Sequence, residues 1–89
     1  MRDRKIIRLT KIPEIDIVTE LIEYMVYFKL SYPTGNKDTC EVLLNDVSNE
    51  IITPSVTYKM TDDVYLYLYL LSNKAVANIY KAIKDDLKV

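Results

Sequence analysis

The residues placed to do chemistry are few. Asp38, Glu41 and Asp46 bring three carboxylates into nine positions around the lone cysteine, Cys40. Carboxylates so spaced are the usual ligands of the divalent cation in a metal-dependent nuclease. Such a site also needs a Glu-x-Lys on an adjoining strand, and Thr57-Tyr58-Lys59 supplies only the lysine. The chain has no histidine. That removes imidazole acid-base catalysis, Ser-His and Cys-His pairs and imidazole metal ligands together. Cys40 alone closes no internal disulfide and builds no thiolate zinc cluster. Its neighbours Asp38 and Glu41 would raise a thiol pKa, so it reads as a small buried hydrophobe in a strand. With Gly35 the only glycine, no glycine-rich phosphate loop can form, and Pro33-Thr34-Gly35-Asn36-Lys37 has the wrong length and spacing for a P-loop. No catalytic residue, cofactor or metal is therefore expected.

Recognition is the remaining possibility, and the segment Val64-Tyr65-Leu66-Tyr67-Leu68-Tyr69-Leu70-Leu71 is the most distinctive candidate. Read as a strand, it sets Val64, Leu66, Leu68 and Leu70 on one face and Tyr65, Tyr67 and Tyr69 on the other. Three uses compete for a tyrosine ladder: cross-strand packing within the monomer, a homodimer or partner surface, and base stacking as in single-stranded nucleic-acid binders. Stacking platforms are normally flanked by Lys or Arg, and the neighbouring exposed positions here are mostly neutral.

Charge is segregated along the chain. Twelve basic and thirteen acidic residues leave a net charge of -1. Residues 1–12 carry a net +4, residues 13–63 a net -7 and residues 64–89 a net +2. Asp16, Glu20 and Glu23 fall on one helical face, either as a solvated exterior or as a surface for a basic partner such as a nucleic-acid-binding protein. Arg4, Lys5 and Arg8 are candidate phosphate contacts. The first twenty-odd residues, with their basic strand and following helix, resemble the start of a ribbon-helix-helix DNA-binding protein. Pro33-Thr34-Gly35 and strands follow where that family has its second helix, so its function is not carried over. A solvated basic strand edge that discourages aggregation accounts for the same residues.

These groups must be positioned by one small domain, residues 1–89. A chain this short buries about 60–65% of its unfolded surface, enough for a single core. With 49% hydrophobic and 28% charged residues, it is expected to fold rather than remain disordered. Ile7 and Leu9 alternate with Arg8 and Thr10, predicting a strand over 5–12 that ends at Pro13. A helix is predicted from 13 to about 23, while residues 24–32 fit helix and strand alike. Further strands are expected at Thr39–Leu44, Ile51–Met60 and Val64–Leu71, with Pro54 marking a bulge or unpaired edge in the middle one. Ser72 is placed as the N-cap of a helix over Asn73–Leu87, whose stripe Val76, Ile79, Tyr80, Ile83 and Leu87 repeats at helical spacing.

The expected architecture is α+β: two layers, β-α-β-β-β-α, with an antiparallel sheet of about four strands and the helices on one face. The expected function is a small non-enzymatic protein-binding module, homodimeric through Tyr65, Tyr67 and Tyr69. A nucleic-acid-binding transcriptional regulator using the basic N-terminal strand is the alternative. The abundance of isoleucine, lysine and tyrosine, with no glutamine, suggests an AT-rich coding sequence and a virus or mobile element of a thermophilic host. A modulator of a host factor would fit that origin. No leader or membrane span is legible at the N-terminus, which places the protein in the (host) cytoplasm.

Overall fold

The computed structural model describes residues 5–31 and 41–87. Six elements follow in the order β1 (Lys5–Leu9), α1 (Ile15–Ser31), β2 (Leu43–Asn45), β3 (Glu50–Ile52), β4 (Val56–Met60) and α2 (Asp62–Leu87). The α+β class holds, and the count of four strands and the order β-α-β-β-β-α recur, although the third and fourth strands are formed by other segments than expected. The strands lie in the order β1-β4-β3-β2. β1 joins β4 in parallel, whereas β2, β3 and β4 are antiparallel, so the sheet is mixed rather than antiparallel throughout as expected.

Strand alternation divides the sheet into two faces. Ile7, Leu9, Ile51, Tyr58 and Met60 turn towards the helices and join Val18, Leu21, Met25, Val64, Tyr65 and Leu68 in one core. The opposite face carries Ile6, Thr57, Ile52 and Leu43 in one cross-strand row and Arg8, Lys59, Glu50 and Asn45 in the next. Both helices start from the same end of the sheet, since Leu9 pairs beside Met60 and α1 and α2 follow those residues. They consequently run in the same direction over the same face.

Three expectations about the elements are corrected. Ile51–Met60 is two strands rather than one. Thr53 N–H donates to the Val56 carbonyl at 2.8 Å, and the Thr53 hydroxyl both donates to that carbonyl and accepts from Val56 N–H. Pro54 therefore sits at the tip of a tight hairpin, where its fixed φ suits the turn and no ladder donor is needed.

The segment Val64–Leu71 is helix, not strand. It belongs to the 26-residue α2, whose first turn is closed by Tyr65 N–H donating to the carbonyl of the preceding Thr61 at 3.0 Å. Asp62 and Asp63 in the first turn face the positive end of the helix dipole. Ser72 is not a cap. It lies fully buried in mid-helix, where its hydroxyl donates to the Tyr69 carbonyl at 2.7 Å.

Residues 24–31 are also helical. Met25 continues the buried series of Val18 and Leu21, and Tyr24 and Phe28 pack against the same core. The expected turn at 32–36 and the Thr39–Cys40 start of a strand lie outside the described residues.

α1 has 17 residues and α2 has 26, about 26 and 39 Å of helix. The longer one overshoots. The radius of gyration is 14.3 Å, against about 12 Å for a compact chain of this length. Leu68→Ala, which empties a fully buried core position, should lower unfolding stability by about 2–5 kcal/mol. Ile83→Ala, on the overshooting end, should shift it by no more than about 0.5 kcal/mol at submicromolar protein. Urea unfolding of both variants checks this, and equal losses would contradict the placement of the core.

Candidate interaction surface

From Asn73 onward α2 has little of the domain against it. The stripe at i, i+3, i+4, i+7 and i+11 is present as helix, yet Ile79 is 36%, Tyr80 53%, Ile83 51% and Leu87 81% exposed. Val76, nearest the body of the protein, is half-buried. The stripe prolongs a face that is buried further back: Tyr65, Tyr69 and Ser72 precede Val76 by eleven, seven and four residues, all helical repeats of one side. Tyr65 and Ser72 are buried there, and Lys29 near the end of α1 closes over Tyr69 and Ser72.

That closure is made by Lys29. Its ammonium lies 3.6 Å from the centre of the Tyr69 ring, a cation–π contact. It also donates to the Tyr69 carbonyl at 3.3 Å, to Asn73 Oδ1 at 2.7 Å and to the Ser72 hydroxyl. Burial pushes the Lys29 pKa below its usual value, and the negative field of Asp46 opposes the shift in part. A lysine beside a serine resembles a nucleophilic dyad, a pairing hidden from sequence because 43 residues separate the two. Ser72, however, is inaccessible and its proton is held by the Tyr69 carbonyl. The pair fastens α1 to α2.

Helical geometry divides the three tyrosines. Tyr65 and Tyr69 stack on one side with ring centroids 6.0 Å apart, while Tyr67 is on the other side and 42% exposed. They do not form one surface. The Tyr65 hydroxyl donates to Asp46 Oδ1 at 2.5 Å. Desolvation, then the hydrogen bond to the Asp46 carboxylate and its charge, raise the Tyr65 pKa far above that of a free phenol.

These two tyrosines, Leu66, Asp46, Asn49 and Asp62 line a pocket of about 340 Å³. Asn49, held at a positive φ of 55° that asparagine tolerates, donates its side-chain amide to Asp62. Both carboxylates of the pocket are thus engaged by the protein itself. Among the described residues no three His, Cys, Asp or Glu gather into a metal-binding group. Of the three carboxylates near Cys40 in sequence, Asp46 lies in the pocket and Glu41 is exposed, while Asp38 with Cys40 lies outside the described residues.

Asp16, Glu20 and Glu23 are all exposed on α1. Glu20 is tethered, accepting hydrogen bonds from Tyr24 at 3.0 Å and Tyr58 at 3.3 Å. Lys5 and Arg8 are exposed on the edge strand β1, and Arg4 lies outside the described residues. Arg8 stands beside Lys59 across the strands, and Lys59 is paired with Glu50 at 3.2 Å. No helix among the described residues is long and apolar enough to cross a membrane. Compared with known proteins, the chain matches no family model, no curated protein and no solved structure.

The Tyr65 shift has a direct consequence. An unfolded phenol ionises near 10.0, whereas the folded one keeps its proton to higher pH. Above pH 10 the unfolded chain therefore binds fewer protons than the folded one, and stability falls as pH rises. Tyr65→Phe should lose about 0.5–1.5 kcal/mol near neutrality through the missing hydrogen bond. It should also show a shallower decline above pH 10 than the wild type. Tyr24 and Tyr58, whose pKa values burial also raises, preserve part of the slope. Urea titrations at pH 8 and 10.5 measure both effects.

Proposed function

We propose that this chain is a small non-enzymatic protein-binding module, homodimeric in its basal state, whose working surface is the apolar face of the exposed end of α2. One observation carries the reading: Ile79, Tyr80, Ile83 and Leu87 lie on one side of a formed helix and are all exposed. Contiguous apolar patches of this kind mark interaction sites. An amphipathic helix presented in this way is an established mode of protein recognition. The acidic residues Asp16, Glu20 and Glu23 provide a second surface suited to a basic partner, drawn in by complementary charge. A virus- or mobile-element-encoded modulator of a host protein is compatible with this reading, and composition is its only support.

Sedimentation velocity from one to several hundred micromolar tests the proposal. The weight-average coefficient should rise with concentration, and Ile83→Glu should hold it at the monomer value with the circular dichroism unchanged. A wild-type monomer throughout would refute the homodimer.

A second reading is favoured by Arg8 and Lys59, adjacent basic residues on the helix-free face of the sheet with Lys5 at the start of the same edge strand. They would contact nucleic-acid phosphates. Binding should then weaken with a slope of about 0.9 in log affinity against log salt for each phosphate neutralised, and Arg8→Glu should reduce it. A mobility-shift titration with duplex DNA at two salt concentrations is the measurement, and no shift at low salt would eliminate this use.

A further inference from the structure

We propose that the free edge of β1 takes up an extended acidic segment of a partner protein as one more strand of the sheet. This surface is separate from the stripe of α2. Three features of the molecule select the occupant.

The first is the direction of the backbone. Thr61 N–H donates to the Leu9 carbonyl at 3.2 Å, so the polar groups of Leu9 face β4. Successive residues of a strand turn their N–H and C=O to opposite edges. Lys5 and Ile7 therefore direct theirs at β4 with Leu9, while Ile6 and Arg8 direct theirs away from the sheet. β1 is the outermost strand on its side, and β4 is its one partner among the described residues. An edge with unpaired N–H and C=O groups is a template for an added strand, and strand addition is an established mode of peptide recognition. β1 offers five residues for it, against three in β2 at the other edge.

The second is charge. Lys5, Arg8 and Lys11 are exposed on this strand or just beyond it, and residues 1–12 carry a net +4. Across the strands Lys5 is level with Val56 and Arg8 with Lys59. Glu50, which pairs with Lys59, lies on the far side of it in β3. The sheet thus sets a lysine rather than a carboxylate beside Arg8. Like charges so placed are destabilising, and a carboxylate on an added strand offsets them. The same charge argues against a second copy of β1, because that pairing would lay one basic segment along another.

The third is the side-chain pattern. Ile6, 51% exposed, and Arg8 lie on the helix-free face, whereas Ile7 and Leu9 pack at the rim of the core. Residues level with one another across strands share a face, so an added strand prolongs both rows. Alternating acidic and apolar residues fit: carboxylates beside Arg8, apolar side chains beside Ile7 and Leu9. A slip of one residue would turn the carboxylates to the core side, which specifies the register.

Amide hydrogen exchange of the full chain, followed by NMR, tests the proposal with a short acetylated peptide of alternating valine and glutamate. In the free protein the Ile6 and Arg8 amides should exchange several-fold faster than those of Ile7 and Leu9. Saturating peptide should slow Ile6 and Arg8 several-fold. Ile6→Pro removes an N–H that β4 does not use, a change that edge strands accept, and should weaken binding several-fold with the circular dichroism retained. Arg8→Glu should weaken it likewise, and Arg8→Lys should restore most of it. Ile83→Glu, on the stripe of α2, should leave it unchanged, so failure here is distinct from failure of the α2 reading.

If Ile6→Pro unfolds the sheet, two modified peptides replace it, one N-methylated at its glutamates and the other at its valines. Each has one edge blocked, so one should bind and the other should not. Equal binding of the two would overturn the proposal. So would slow exchange of Ile6 and Arg8 in the free protein, whether another part of the chain or a second copy covers them. Absence of binding at millimolar peptide, equal binding of a valine–lysine peptide, or binding that leaves those two amides unprotected would also overturn it. Duplex DNA that binds where the peptide does not would assign the basic strand to phosphate contacts instead.

Discussion

The central constraint is a difference in length. α1 and α2 start from the same end of the sheet and share one core, but α1 ends at Ser31 while α2 continues to Leu87. A helix with a continuous apolar side needs cover along its whole length. The described part of this chain provides cover only as far as Lys29. The described residues before Asn73 form a closed two-layer body, and the described residues after it form a helix with an uncovered apolar side. The elongation of the molecule, the exposed stripe and the position of Lys29 all follow from that difference.

The polar contacts hold the closed part together around the same junction. Lys29 joins the end of α1 to the middle of α2, Tyr65 joins the first turn of α2 to the β2–β3 connection through Asp46, and Asn49 joins that connection to Asp62. Each contact places a partly buried polar group against a partner, which limits the penalty of desolvating it. The same engagement uses up the groups that might have carried chemistry. Lys29 is directed at Ser72, Tyr69 and Asn73, Asp46 is engaged by Tyr65, and Asp62 by Asn49. These contacts hold the described body together, and the exposed stripe of α2 lies apart from them.

Much of the fold was legible in the sequence because its signals were one-sided. In β1, Ile7 and Leu9 alternate with Arg8, a polar contrast that only the correct period produces, and the strand is found there. The acidic side of α1 and the stripe over 76–87 were readable for the same reason. The segment 64–71 misled because its alternation is between two apolar residue types, Leu and Tyr, so period two carried no information about burial. The positions actually buried, Val64, Tyr65, Leu68 and Ser72, have helical spacing. Leucine favours helix, and only Val64 in the run is β-branched. Between the expected strands Ile51–Met60 and Val64–Leu71, Thr61-Asp62-Asp63 is a Thr followed by two carboxylates, which is also the signature of a helix start. The exposure of the stripe could not be read at all. It depends on where α1 stops relative to α2, a tertiary relation that no local pattern encodes.

An uncovered helical end is also an energetic problem with a functional resolution. A free segment of about fifteen residues is marginally helical in water, because nucleation is costly and each added residue contributes little. The 73–87 stretch avoids the nucleation cost by growing from a helix already formed within the body, but it remains without tertiary burial over most of its length. Association would bury Ile79, Tyr80, Ile83 and Leu87 at the smaller cost of restricting side chains on a preformed backbone. Preorganisation of this kind makes a modest apolar area useful for binding. It also makes the ordering of the helical end and the occupancy of its face two readings of one equilibrium. A partner that covers the stripe stabilises the helix, and a substitution that frays the helix weakens the partner's hold. On the proposed reading, the length mismatch that leaves the described body open at one end would set both where a partner binds and how firmly.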